Sequence, residues 1–314
     1  SMHDTLADCT DMYALYDVLT SIKDKNGKFA CFTPFVNVAN PDFEKIRFSG
    51  FTRYYRESIS DTFQKYGDSY KNVLEIWKQG INENLFYPAY HGTEHINVKR
   101  FIESLKNNHK SVMAAFDVES VCVPPFKGEI PVKKPTTTFF IEKNEENEQL
   151  KEDIIVGTQM FYDLFGYKSK QFTPGAGIYS PLLNQTLKSC GIDYINVNRY
   201  FSYPIGDGKF ERRFLFNGKH NEFGQKYIVR NCVFEPSGSD NLSIANKCIR
   251  DIETAFFWGA PAIISTHRVN FIGHFDEKWR NNSLFQLKYI LKEIIKRNPD
   301  IEFMNGDQMA DNIL

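Results

Sequence analysis

Apolar residues recur at helical spacing in DMYALYDVLTSIKD (11–24), at Met12, Leu15, Val18, Leu19 and Ile22, which predicts an amphipathic helix. After a turn at Lys25-Asn26-Gly27-Lys28, KFACFTPFVNVAN runs almost unbroken in apolar residues to Asn40-Pro41, the pattern of a buried strand. Helical patterns follow at PDFEKI and at about 58–81. LFYPAY (85–90) reads as a short strand, and 96–107 as a helix with Thr93 as N-cap. SVMAAFDVES (111–120) reads as a further strand, and the proline- and lysine-rich segment 123–136 as a loop. A long amphipathic helix is predicted over 145–165, then strand, loop, helix and strand through KQFTPGAGIYSPLLNQTLKSCGIDYINV. A strand at 226–237, helices at 240–257 and 282–297, strands at 261–267 and 301–305, and a short helix at 307–313 complete the pattern.

Strands alternating with helices predict an α/β fold with a parallel sheet, open or closed into a barrel. In such folds the chemistry gathers at the C-terminal ends of the strands. The whole chain reads as one domain, with an irregular insertion at about 201–225 rich in Gly, Arg and aromatics.

Polar residues at predicted strand ends are therefore the candidates. His91 closes LFYPAY, Gly92 ends the strand, and His95 falls in the first turn of the next helix. Two imidazoles four residues apart can share a metal, and a third ligand with an open position would make the site catalytic. Asp117 follows VMAAF, Glu235 follows YIVRNCVF, and His267 and Arg268 follow PAIIST. His267 is a candidate general acid or base. Its plainer reading is a structural histidine bonded to nearby backbone. For Asp117 and Glu235 taken singly, a loop cap or buried ion pair is the plainer reading. FTPGAGIYS (172–180) lacks the GK[ST] ending of a phosphate loop. Pro174 and Tyr179 in it suit one wall of a substrate groove, or a simple strand-to-helix loop.

The formal net charge of −1 excludes a general basic field for nucleic acid or anionic lipid. Of 314 residues, 42% are hydrophobic; no run of 18 apolar residues occurs, and no basic-then-apolar leader opens the chain. A cytoplasmic location is the expectation. Ser1 before Met2 reads as an expression scar. The six cysteines form no CxxC pair, as in a reduced protein without a zinc ribbon. The 28 Phe, 16 Tyr and 3 Trp fill a core and also suit sugar rings.

In order and spacing, these motifs resemble the polysaccharide deacetylase-like superfamily (NodB homology, carbohydrate esterase 4), in its long bacterial branch associated with surface polysaccharides. His91-Gly-Thr-Glu-His95 is similar to its HxxxH metal motif. Phe172-Thr173-Pro174-Gly175 stands where R-x-P-[FY]-G usually occurs, with Gln171 near the place of the arginine. IISTHRVNFIGH resembles the late strand that ends in a catalytic histidine, here His267. The resemblance implies a distorted (β/α) barrel of about seven strands. It implies a divalent metal, zinc foremost with nickel, cobalt or manganese as alternatives, on His91 and His95. It implies removal of N- or O-acetyl groups from a carbohydrate, with His267 as the catalytic acid; Asp117 is the substitute candidate for the aspartate base, and the strand-end and loop residues Pro174, Tyr179, Arg268 and Glu235 are the candidates against the substrate. The superfamily's first strand with its two acidic residues has no counterpart in SMHDTLADCT, where neither Asp4 nor Asp8 follows an apolar run. A catalytically disabled glycan- or partner-binding barrel is one alternative. A glycoside hydrolase using Asp117 and Glu235 across a cleft is another.

Overall fold

Short strands and longer helices alternate along the chain. The strands are β1 (Phe35–Asn37), β2 (Ala39–Pro41), β3 (Arg56–Ser58), β4 (Ala89–Gly92), β5 (Gln171–Phe172), β6 (Tyr194–Val197), β7 (Tyr200–Gly206), β8 (Lys209–Phe214), β9 (Lys226–Val229), β10 (Cys232–Val233) and β11 (Ile264–Ser265). The computed structural model describes residues 5–236, 238 and 241–313. It divides into two units, one of residues 35–62 and 89–227, the other of the remaining described residues.

The first unit carries the central sheet, in the order β1-β4-β5-β6-β9. The β1–β4, β4–β5 and β5–β6 pairs are parallel, and the chain passes to the other unit within β9. Phe172 and Ile195 of these strands are fully buried. The helix Glu146–Phe165 packs beside β4, and its Gly157 is the point of closest approach. A Cβ there would run into the Tyr90 and Thr93 hydroxyls. A second core gathers Phe43, Ile46, Ile96, Phe101, Ile102, Leu105 and Phe116. The other unit holds the parallel pair β10–β11. It also holds the helices Cys9–Thr20, Ser243–Phe257 and Glu277–Arg297, and a buried Asp11–Arg280 ion pair at 2.9 Å. The expected α/β class with a parallel central sheet is what the chain adopts. The five-stranded central sheet and the β10–β11 pair hold seven strands among the described residues.

Local differences from the sequence reading have simple causes. Residues 110–117 are a helix, not a strand. Met, Ala and Phe are compatible with helix, and burial of Ala115 and Phe116 settles the choice. The 58–81 helix is three, Ile59–Lys65, Asp68–Lys71 and Val73–Asn82, with Gly67 at φ 106° between the first two. Asn97 caps the helix Val98–Lys106, its side chain accepting from the Arg100 N–H, so His95 lies before the helix and Thr93 is not its cap. IEFMN at 301–305 is not a strand; its backbone instead uses Asp24, which accepts from the Phe303 N–H at 2.9 Å. The segment taken as irregular, 201–225, contains most of an antiparallel hairpin, β7–β8. Asp8 caps the first helix, whereas Asp4 lies outside the described residues. No helix among the described residues is long and apolar enough to cross a membrane.

Candidate functional site

The C-terminal end of β4 brings His91 and His95 together in the first unit. Gly92, at φ 127°, turns the chain where a side-chain-bearing residue would be strained, with the Phe139 ring closing over it. The two imidazole centroids stand 5.1 Å apart, edge to face. His91 Nδ1 lies 2.7 Å from the Thr173 carbonyl at the end of β5. A carbonyl only accepts, so the proton sits on Nδ1. Asn37, at the end of β1, donates to the Gly92 carbonyl at 3.3 Å. The Gly175 backbone runs against the His95 ring, where an added Cβ would lie 3.3 Å from it. The end of the sheet is therefore lined by imidazole, amide and backbone carbonyl groups.

The carboxylate nearest the two histidines in sequence is tied up by an arginine. Glu94, between the two histidines in sequence, is 2% exposed. Arg56 of β3 holds it through two hydrogen bonds, 3.1 and 3.2 Å, and reaches Asp153 at 2.7 Å. Burial pushes the Glu94 carboxyl up to about 7, with Arg56 pulling the other way. Glu94 and Asp153 together hold Arg56 above its ordinary range, against its own burial.

A different constellation lies in the other unit, after β10 and β11. Glu235 Oε1 accepts from His267 Nδ1 at 2.6 Å, and Oε2 accepts from Asn270 Nδ2 at 2.7 Å. Asn270 is fully buried and its Nδ2 also reaches Thr266 Oγ1 at 3.0 Å. The His267 side chain remains 74% exposed. A carboxylate held at both oxygens, one by a solvent-facing imidazole, is a fixed acid–base pair. Burial lowers Arg230, with Glu235 acting in the opposite sense.

The other candidates separate from these groups. Asp117 ends a helix and pairs with Arg47 at 2.8 Å, both about half exposed. Its place at a strand end is therefore corrected. Tyr179 is fully buried, packs on Phe172 and Phe201, and donates to Asn184 at 3.0 Å. It is core rather than groove wall. Pro174 is buried too and starts the turn Gly175–Gly177. Arg268 is exposed beside His267. The sequence reading missed Asn270 and Arg56. Neither follows a predicted strand, though Asn270 stands three residues after His267, within reach of the same turn.

A sequence profile described as glycosyl hydrolase family 57 matches residues 36–221, more than half of the chain. No curated protein matches it. Among solved structures, a 4-alpha-glucanotransferase from Thermococcus litoralis shares 10% identity at a TM-score of 0.46, covering 98% of this chain and 36% of that one. A GH57 branching enzyme from Thermococcus kodakaraensis shares 10% at 0.44, covering 86% and 56%. A proposed polysaccharide deacetylase from Mycobacterium smegmatis shares 11% at 0.44, covering 97% and 77%. The chain thus spans about a third of the glucanotransferase and about half of the branching enzyme.

The profile overturns the deacetylase resemblance, and with it the acetyl-removing activity inferred from it. HxxxH is a short motif, and two histidines at that spacing also serve a strand end with no metal. The metal expectation is corrected on the same ground and on the ligand set. Among the described residues no group of three His, Cys, Asp or Glu side chains is placed to hold an ion. Glu94, the nearest anionic side chain in sequence, is engaged by Arg56.

Proposed function

The chain belongs to glycosyl hydrolase family 57, and on that premise we propose that it acts on the glycosidic bonds of a carbohydrate, with Glu235 as one of its working carboxylates. The match over residues 36–221 carries the glycosidic reading; Glu235 lies beyond that match and is argued from its own geometry. Glycoside hydrolysis needs two carboxyl groups, one to protonate the leaving oxygen and one to act as base or nucleophile. Glu235 suits the second role, because both its oxygens accept hydrogen bonds and its orientation is fixed. His267 and Asn270 act through it as positioning residues. His91, His95 and Asn37 offer donors and acceptors suited to sugar hydroxyls rather than to a metal.

Incubation of the purified protein with a panel of oligo- and polysaccharides, α-glucans included, tests the reading through newly released reducing ends. Glu235→Gln should lower the rate about 10²–10⁴-fold, the usual contribution of such a group. A rate unchanged by Glu235→Gln would remove that residue from the mechanism.

A second reading, glycan binding without cleavage, is favoured by one observation. The first unit's two candidate carboxylates, Glu94 and Asp117, are each tied to an arginine. Wild-type protein that binds glycans and releases no reducing ends would establish it.

A further inference from the structure

We infer that the outward face of the β7–β8 hairpin is a binding platform for an acidic polysaccharide. The inference rests on the reading that the protein acts on a carbohydrate, and adds its charge class. The hairpin turns through Asp207-Gly208, both at positive φ (52° and 68°), as a two-residue type I′ turn requires. Residues directly opposite in the ladder share a face. One face takes Phe201 and Tyr203, which are 1% and 3% exposed, with the Phe201 ring tilted against Tyr179 at 5.2 Å. The other takes the cross-strand pairs Tyr200–Phe214, Ser202–Arg212 and Pro204–Phe210.

That second face is not covered by the rest of its unit at the Tyr200 end. Tyr200 is 75% and Phe214 54% exposed, and their rings meet edge to face at 5.7 Å. At the other end Phe210 stacks on Phe140 at 5.9 Å and is still 38% exposed. Arg212 lies between the two aromatic ends, is exposed, and makes no ion pair among the described residues. From Phe210 to Phe214 the strip measures ~13 Å at the rise of a strand.

The occupant follows from charge and shape. Aromatic faces stack on the apolar faces of sugar rings, and a guanidinium pairs with a carboxylate in a fixed fork. From Arg199 to Lys219 the chain carries five basic residues (Arg199, Lys209, Arg212, Arg213, Lys219) and two acidic ones (Asp207, Glu211), in a protein of net charge −1. Glu211 is occupied by the Tyr203 hydroxyl, and Arg213 lies over the Tyr203 ring at 4.8 Å. Arg212 is thus the cation presented between exposed rings. A carboxylated glycan matches that alternation better than a neutral one.

Affinity electrophoresis through gels containing polygalacturonate tests the assignment. Parallel gels contain its methyl-esterified form, and a separate titration uses oligo(dT). Wild type should be retarded by polygalacturonate, with at least tenfold weaker binding to the ester. Arg212→Ala and the double variant Tyr200→Ala/Phe214→Ala should each weaken polygalacturonate binding at least tenfold while keeping wild-type circular dichroism. No retardation of wild type, equal retardation by acid and ester, indifference to both surface variants, or oligo(dT) binding as tight as polygalacturonate would each overturn the proposal. Arg212-dependent retention without cleavage of any glycan would sink the catalytic reading alone. Cleavage with Arg212-independent retention would sink the platform alone.

Discussion

The two polar clusters differ in how their charges are settled. At the end of β4, imidazoles face amides and a backbone carbonyl, and the adjacent carboxylate is buried against Arg56. After β10 and β11, an imidazole and an amide both donate to one carboxylate, and the imidazole faces water. The first cluster looks like half a metal site in sequence and lacks the anion in space. The second is marked in sequence only by two strand ends and the late histidine His267, and holds an oriented carboxylate. Histidine spacing alone, then, is a weaker guide than where the neighbouring negative charge goes.

The strongest way to break this comparison is catalytic. Glu235→Gln should cost about 10²–10⁴ in rate, whereas His91→Asn should cost less than tenfold; turnover of the two variants on one substrate decides it. The reverse order would move the chemistry to the end of β4.

The next test uses pH. Glu94 is raised in the folded protein to about 7, above its usual 4.5. The folded state therefore holds more protons than the unfolded chain between those values. Stability from Glu94 is full below about pH 4.5 and is lost as pH rises through 7, by about 3 kcal/mol in all. Denaturant titrations should show that fall in wild type and a flatter profile in Glu94→Gln. Equal slopes would mean that Arg56 keeps the group charged throughout.

Smaller effects sharpen the packing side. Gly157→Ala should destabilise the protein by about 1–3 kcal/mol, because the new methyl meets the Tyr90 and Thr93 hydroxyls. This runs against the gain of about 1 kcal/mol that Ala brings to a helix, so a raised melting temperature would refute the contact. Least of all, His91→Asn should lose about 1 kcal/mol with its bond to Thr173. A chelator should leave the melting temperature of both proteins in place; a drop confined to wild type would restore a metal to the histidines.

The sequence was most informative where one interaction decides local structure. Helical periodicity found Cys9–Thr20, Glu146–Phe165 and Glu277–Arg297 to within a few residues. It failed at 110–117, where a short apolar run fits helix and strand equally. The hairpin was legible in principle. Asp207-Gly208 between YFSYPIG and KFERRF is a strong short-range hairpin signal, obscured by the surrounding glycines and charges. Glu235, His267 and Arg268 were found because strand ends point to them. Asn270 and the Arg56–Glu94 pair were not, because a hydrogen bond across 35 or 38 residues leaves no local trace. HxxxH pointed to a deacetylase, whereas the glycoside-hydrolase alternative raised by the carboxylates at strand ends is the reading that the family match supports.

The division of the chain has a consequence for its birth on the ribosome. The unit with the central sheet and the hairpin is drawn from two stretches that are both synthesised by residue 227. The other unit is drawn from three, and Glu235, His267 and Asn270 come only with the third. Since domains form as units during translation, the β7–β8 hairpin can take shape first and the oriented carboxylate last. A chain halted midway would carry the hairpin before it carried Glu235 and its two donors.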